Sequence, residues 1–328
     1  MNGSVRQARL STSPLPEVDP TIPPWPGRPV QVGGVEVFVR HTPGPDRGGE
    51  SALYVHGLGG ASTNWTDLAG LLAGHLDGAA VDLPGFGRSG PVTGRNYSPG
   101  RFATVVIRLI EQSGRGPVHL FGNSMGGAIA VLVAAVRPDL VRTLTLISPA
   151  MPDLRPRRGS DPLIPLLLLP GVNRLAERRL QRLTPERRAR AVIEICFGDP
   201  TRVPQNRIDE AAAEVRRRND LPWAMGAFTA SLRGLAWSYL SKGERSLWQH
   251  AARVAAPTLV IWGDRDRLVD VALAPRTAGT VPDGRLLVLP GVGHTAQLED
   301  PTTVARAFLG MLEEVRADGD ASADRRAG

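Results

Sequence analysis

Short, uninterrupted apolar runs recur along the chain, and each gives way to a turn-forming residue. Ala52–Val55 leads into His56-Gly57, Ala79–Asp82 into Pro84-Gly85 and Val118–Phe121 into Gly122. Thr143–Ile147 leads into Ser148-Pro149, Thr258–Trp262 into Gly263-Asp264 and Arg285–Leu289 into Pro290-Gly291. Runs that are apolar throughout, not alternating, suit strands buried on both faces of a parallel sheet. Val30–Val32 and Val35–Arg40, joined by Gly33-Gly34, read as a hairpin. Helical periodicity fills the gaps at Asn64–His75, Gly100–Ser113, Met125–Arg137 and Pro301–Val315. Strand and helix in alternation predict an α/β fold with an open, mostly parallel central sheet.

One stretch breaks the rhythm. Residues 151–250 lack short apolar runs and carry helical patterns at Asn173–Arg182, Pro185–Phe197, Gln205–Arg218 and Trp223–Tyr239. They read as an all-helical insertion that divides the core into 29–150 and 251–316. Residues 1–28, rich in Pro, Ser and Thr, read as a flexible arm with Trp25 docked on the body; 317–328 read as a disordered tail.

Composition changes this picture little. The 328 residues are 42% hydrophobic and 22% charged, which is ordinary for a globular protein. The net charge of +7 raises nucleic acid as a partner. The arginines are spread along the chain among Asp and Glu, Lys242 is the single lysine, and no recognition motif accompanies them, so no nucleic-acid partner is expected. Arg187-Arg188-Arg190 and Arg216–Arg218 read as solvated helix faces, with an anionic lipid surface or acidic substrate as the alternative. The lone Cys196 excludes an intrachain disulfide and reads as a small buried hydrophobe. MNGSVRQARLSTSPLPEV has no apolar segment of a signal peptide, and Pro162–Pro170 is too short to span a bilayer, which needs about 20 residues. A cytoplasmic chain without stable membrane insertion is the expectation. The run Leu163–Leu169 reads equally as a wall for an acyl group or as packing within the insertion.

The chemistry gathers at the strand ends. Gly122-Asn123-Ser124-Met125-Gly126-Gly127 follows one strand and opens a helix, the setting a nucleophilic serine needs on a sharp, strained turn. The Met125 amide, at that helix start, points where an oxyanion would form. His56-Gly57-Leu58-Gly59-Gly60 follows another strand, and its Leu58 amide is the candidate second donor. His56 reads as a structural loop residue. Trp262-Gly263-Asp264-Arg265-Asp266 offers two acids; Asp266 is preferred because the earlier position more often caps the turn. Gly291-Val292-Gly293-His294 supplies a histidine after the last strand. Ser124, Asp266 and His294 thus occur in the order Ser, Asp, His, each at the C-terminal end of a predicted strand, where open α/β sheets place their sites. His41, His75, His119 and His250 lack metal-ligand spacing and read as structural or surface residues.

Over roughly residues 29–315 the chain resembles the α/β-hydrolase fold enzymes. Asp82-Leu83-Pro84-Gly85-Phe86-Gly87-Arg88-Ser89 matches a structural loop of that family, and the insertion at 151–250 matches its helical cap. The resemblance implies a Ser124–His294–Asp266 triad that attacks a carbonyl, no cofactor or metal, and a small-molecule ester as substrate. A serine at 124 argues against the dehalogenases and epoxide hydrolases, which carry aspartate there. Asn123 before the serine, with Met125-Gly126-Gly127 after it, is similar to the meta-cleavage-product C–C hydrolases, so a dienoate is the alternative substrate. A non-catalytic protein that binds a small ligand is the reading outside enzymes.

Overall fold

The computed structural model describes residues 5–45, 49–92, 94, 96–153 and 183–327. All eight predicted strands form. They are β2 (Gly27–Val32), β3 (Val35–Thr42), β4 (Glu50–Val55), β5 (Leu76–Val81), β6 (Val118–Asn123), β7 (Val141–Ile147), β8 (Thr258–Gly263) and β9 (Gly284–Leu289). A short β1 (Arg6–Gln7) completes a nine-stranded sheet in the order β1-β9-β8-β7-β6-β4-β5-β3-β2. Every pairing is parallel except β2 with β3 and β3 with β5.

The continuous apolar runs have the predicted cause. Along β8, Leu259 and Ile261 join one core cluster while Val260 and Trp262 join the other. Tyr54 and Val55 on β4 divide the same way. One face is covered by α2 (Pro99–Ser113), α3 (Met125–Val136), α7 (Leu247–Ala251) and α8 (Ala274–Thr280). The other is covered by α1 (Thr66–Leu72), α9 (Ala296–Glu299) and α10 (Pro301–Ala327). There Tyr54, Phe121 and Phe308 stack in sequence, with ring centroids 4.7 and 4.8 Å apart. Between β7 and β8 lie α4 (Pro185–Cys196), α5 (Gln205–Asn219) and α6 (Ala224–Tyr239). The helix expected at Asn173–Arg182 and the run Leu163–Leu169 lie outside the described residues.

Both chain ends take on regular structure, and Trp25 docks on the body as expected. β1 pairs with β9 and covers an otherwise open sheet edge, which satisfies backbone groups there. The Ser11 amide donates to the Arg306 carbonyl at 2.9 Å, and Trp25 Nε1 donates to the Thr66 carbonyl at 3.0 Å. At the other end α10 continues to Ala327, past the expected limit at 316. The stretch is rich in alanine, which favours helix, and no proline interrupts it. Among the described residues no helix is long and apolar enough to cross a membrane.

Candidate active site

The sheet order sets the site. Ser124 follows β6, Asp266 follows β8 and His294 follows β9, so all three stand at the C-terminal edge of one stretch of parallel strands.

Ser124 sits on the turn between β6 and α3 with φ 54° and ψ −119°. An L-residue held there costs about 1–3 kcal/mol, which the surrounding bonds must offset. The Ser124 amide donates to the Ile147 carbonyl at 3.0 Å, while its own carbonyl accepts from Ala128 at 3.1 Å and Ala150 at 2.9 Å. The flanking glycines are required by contact. A Cβ at Gly122 would lie 2.4 Å from the Gly126 carbonyl oxygen, and one at Gly126 would lie 2.2 Å from that of Val55.

The His56–Gly60 loop runs beside this turn, since a Cβ at Gly57 would lie 3.1 Å from Ser124 Cβ. His56 is fully buried and structural. Leu83 N–H donates to its Nε2 at 2.9 Å, so Nδ1 holds the proton and donates to the Gly57 carbonyl at 2.7 Å. Burial holds its pKa below the usual histidine value, although the Asp82 charge opposes this, and the ring stays neutral. Asp82 ties the neighbouring loop by accepting from Ser62 at 2.6 Å and Arg88 at 2.8 Å. Among the described residues neither the Leu58 nor the Met125 amide donates a hydrogen bond.

The two acids separate cleanly. Asp264 accepts from the Gly291 amide at 2.7 Å and is exposed. Asp266 accepts from His294 Nδ1 at 2.8 Å and from the amides of Leu268 and Val269 at 2.8 and 2.9 Å. Both side chains of this pair are buried, at 4% exposure for His294 and 0% for Asp266. Burial raises the Asp266 pKa; the His294 charge and the three hydrogen bonds outweigh it and hold the carboxyl below its usual value. With Nδ1–H donated to a carboxylate, His294 keeps Nε2 free to accept a proton.

Three further contacts escaped the sequence reading. Asn123 Nδ2 donates to the carbonyls of Ile147 and His294, each at 3.1 Å, and so ties the serine turn to the histidine loop. Glu299 accepts from Gly293 at 2.7 Å, Gly198 at 3.0 Å and Asp199 at 2.9 Å. The His294 amide donates to the Cys196 carbonyl at 2.6 Å. The last two fasten the end of α4 to the histidine loop. Asn123 stood beside the serine motif and could have been suspected; Glu299 lies in an unremarkable stretch and carried no signal. On the other side, Phe228 of α6 comes within 3.1 Å of where a Gly59 Cβ would stand. The Cys196 thiol is pushed up to about 12 by burial and by the charge of Asp266.

Residues 53–301 match the alpha/beta hydrolase fold family, and the chain belongs to it. Among its relatives is a 2-hydroxy-6-oxononadienedioate/2-hydroxy-6-oxononatrienedioate hydrolase of Pseudomonas putida, 28% identical over 81% of this chain and 88% of that one. The dihydrolipoyllysine-residue acetyltransferase component of the acetoin cleaving system of Pseudomonas putida is also 28% identical, and here the chain spans 64% of the relative's length. In structure the chain is similar to a membrane phospholipase A described as a bacterial virulence factor, with TM-score 0.71, 26% identity, and coverage of 89% of this chain and 87% of that one.

Proposed function

We propose that the protein is a serine hydrolase that cleaves a carboxylic ester through an acyl-enzyme. The observation that carries this reading is the buried His294–Asp266 pair, 2.8 Å apart, at the same sheet edge as a serine held at φ 54° on a strand-to-helix turn. Ser124 Oγ attacks the carbonyl as His294 Nε2 takes its proton. Asp266 fixes the tautomer and stabilises the imidazolium. The amides of Leu58 and Met125 receive the developing oxyanion, an arrangement in which loss of one donor costs about 100-fold or more in rate. The proton passes from His294 to the leaving alkoxide, and water activated by the same histidine then releases the acid. The insertion acts as a cap: Phe228 and Ala227 of α6 lie against the loops at Gly59 and Gly85 and restrict what reaches the serine.

A C–C hydrolase acting on a dienoate ketone is the second reading. Asn123 before the serine and the 28% identical dienedioate hydrolase favour it.

A fluorophosphonate probe tests the common step. Labelling of the wild type and none of Ser124→Ala is expected; an unlabelled wild type makes the protein a ligand-binding member of the fold. Turnover of short and long p-nitrophenyl esters against a dienoate then separates the two enzyme readings.

A further inference from the structure

We propose that the outer end of α6, with the facing stripe of α3, is a docking site for an anionic lipid surface. A cleft of about 470 Å³ opens there, away from the His294–Asp266 pair, lined by Pro99 of α2, Ala128 and Leu132 of α3, Trp237 of α6, Arg245 and Leu247. That volume suits one lipid chain or a ligand of similar size.

Both lips of the cleft carry apolar side chains into solvent. On α6, Trp237 is 71% exposed, and Leu240, just past the helix end, 53%. On α3, Ala128 and Leu132 line the cleft, and Val136, four residues beyond Leu132 on the same face, is 58% exposed. Exposed apolar residues are ordinary when scattered; gathered on two sides of one opening they mark a surface that meets something apolar. A tryptophan is the residue best suited to a membrane–water boundary, since its ring is apolar and its N–H is wet.

Charge selects the partner. Arg233 lies one turn before Trp237 on the same α6 face, and Lys242 and Arg245 follow the helix end. Among the described residues none of these three has a carboxylate within ion-pair distance. The nearby Glu244 instead faces Arg253 at 3.4 Å. Three cations without a carboxylate partner among the described residues, Arg245 lining the cleft and Arg233 and Lys242 near it in the chain, match anionic headgroups over acyl chains.

The site also connects to the chemistry. Trp237 is nine residues along α6 from Phe228, about 14 Å at the helical rise, and Phe228 lies on the oxyanion loop. A bilayer at this end would stand next to the cap without entering the core. The proposal stands whether the ester or the dienoate reading holds, because its test measures binding alone.

The test is co-sedimentation of the full chain with phosphatidylcholine vesicles, with and without phosphatidylglycerol. Binding to the phosphatidylglycerol vesicles, weakening as salt rises, is the expected result. Trp237→Ser with Leu240→Ser should abolish it at all salt concentrations. Neutralising a basic residue should weaken partitioning about fivefold, and Arg233→Gln, Lys242→Gln and Arg245→Gln together about 100-fold. Arg187→Gln with Arg190→Gln, on α4, removes charge elsewhere and should leave binding near wild type. Failure to bind phosphatidylglycerol vesicles, equal binding to pure phosphatidylcholine, or an equal loss in the α4 variant would overturn the proposal. So would patch variants that change the oligomeric state and leave vesicle binding intact. All substituted side chains are exposed or half-buried, and an unchanged melting temperature will show that each variant folds.

Discussion

Replacing Asp266 by asparagine preserves the side-chain shape and removes its charge. The carbonyl oxygen of the new amide can still accept from the amides of Leu268 and Val269, which Asp266 holds at 2.8 and 2.9 Å, so the loop keeps its form. Toward His294 the new side chain presents N–H where the carboxylate accepted at 2.8 Å. His294 must then place its own proton on Nε2, where, on the proposed mechanism, it can no longer accept one from Ser124. Loss of the correct tautomer in such a triad lowers kcat by about 10⁴, or roughly 5 kcal/mol of barrier. The assay is hydrolysis of p-nitrophenyl acetate, with fluorophosphonate labelling rate as a second readout. Asp264→Asn is the control; its carboxylate only accepts from Gly291, so activity should change less than about threefold. Loss of activity in the Asp264 variant with activity kept in the Asp266 variant refutes the argument. The same residue has a pH signature. Its folded pKa is below the unfolded value of about 4, so its contribution to stability is full above that pH and is lost as pH falls through the folded value. The stability gap between wild type and Asp266→Asn should therefore shrink on acidification, as followed by urea unfolding.

Other expectations follow from single contacts. Arg207 of α5, 12% exposed, pairs with Asp67 and Glu210 and donates to the Ile22 carbonyl, so Arg207→Ala should cost about 3 kcal/mol by leaving Asp67 unpaired, with partial recovery when Asp67→Asn is added. Gly126→Ala puts a Cβ against the Val55 carbonyl, and a loss of about 2–4 kcal/mol in thermal unfolding is expected. Glu299→Ala removes three amide partners at the histidine loop; kcat should fall about tenfold and stability by about 2 kcal/mol. With its pKa pushed up to about 12, the Cys196 thiol should resist a thiol reagent at neutral pH in the native chain and react once urea unfolds it.

Much of this was legible along the chain because it depends on neighbours in sequence. Apolar runs without alternation required strands covered on both faces, and Val260 and Leu259 do point to opposite cores. Gly122 and Gly126 required a strand and a helix backbone in contact, and turn residues marked each strand end. Helices at 185–196, 205–219 and 224–239 followed from periodicity alone. What stayed hidden involves groups far apart in sequence. Asp264 and Asp266 are the same residue type at one strand end, and turn capping gave only a preference for the second; the approach of the β9 loop shows that one meets Gly291 and the other His294. Glu299 serves three amides from two separate segments, which no local pattern records. The N-terminal segment looked loose because its own residues carry no periodicity; an open edge on β9, more than 270 residues away, gives it a partner. Local geometry and propensity are written in adjacent residues. The partner of a buried charge or an unpaired amide is chosen by whatever the folded chain brings within about 3 Å, and that is decided only in three dimensions.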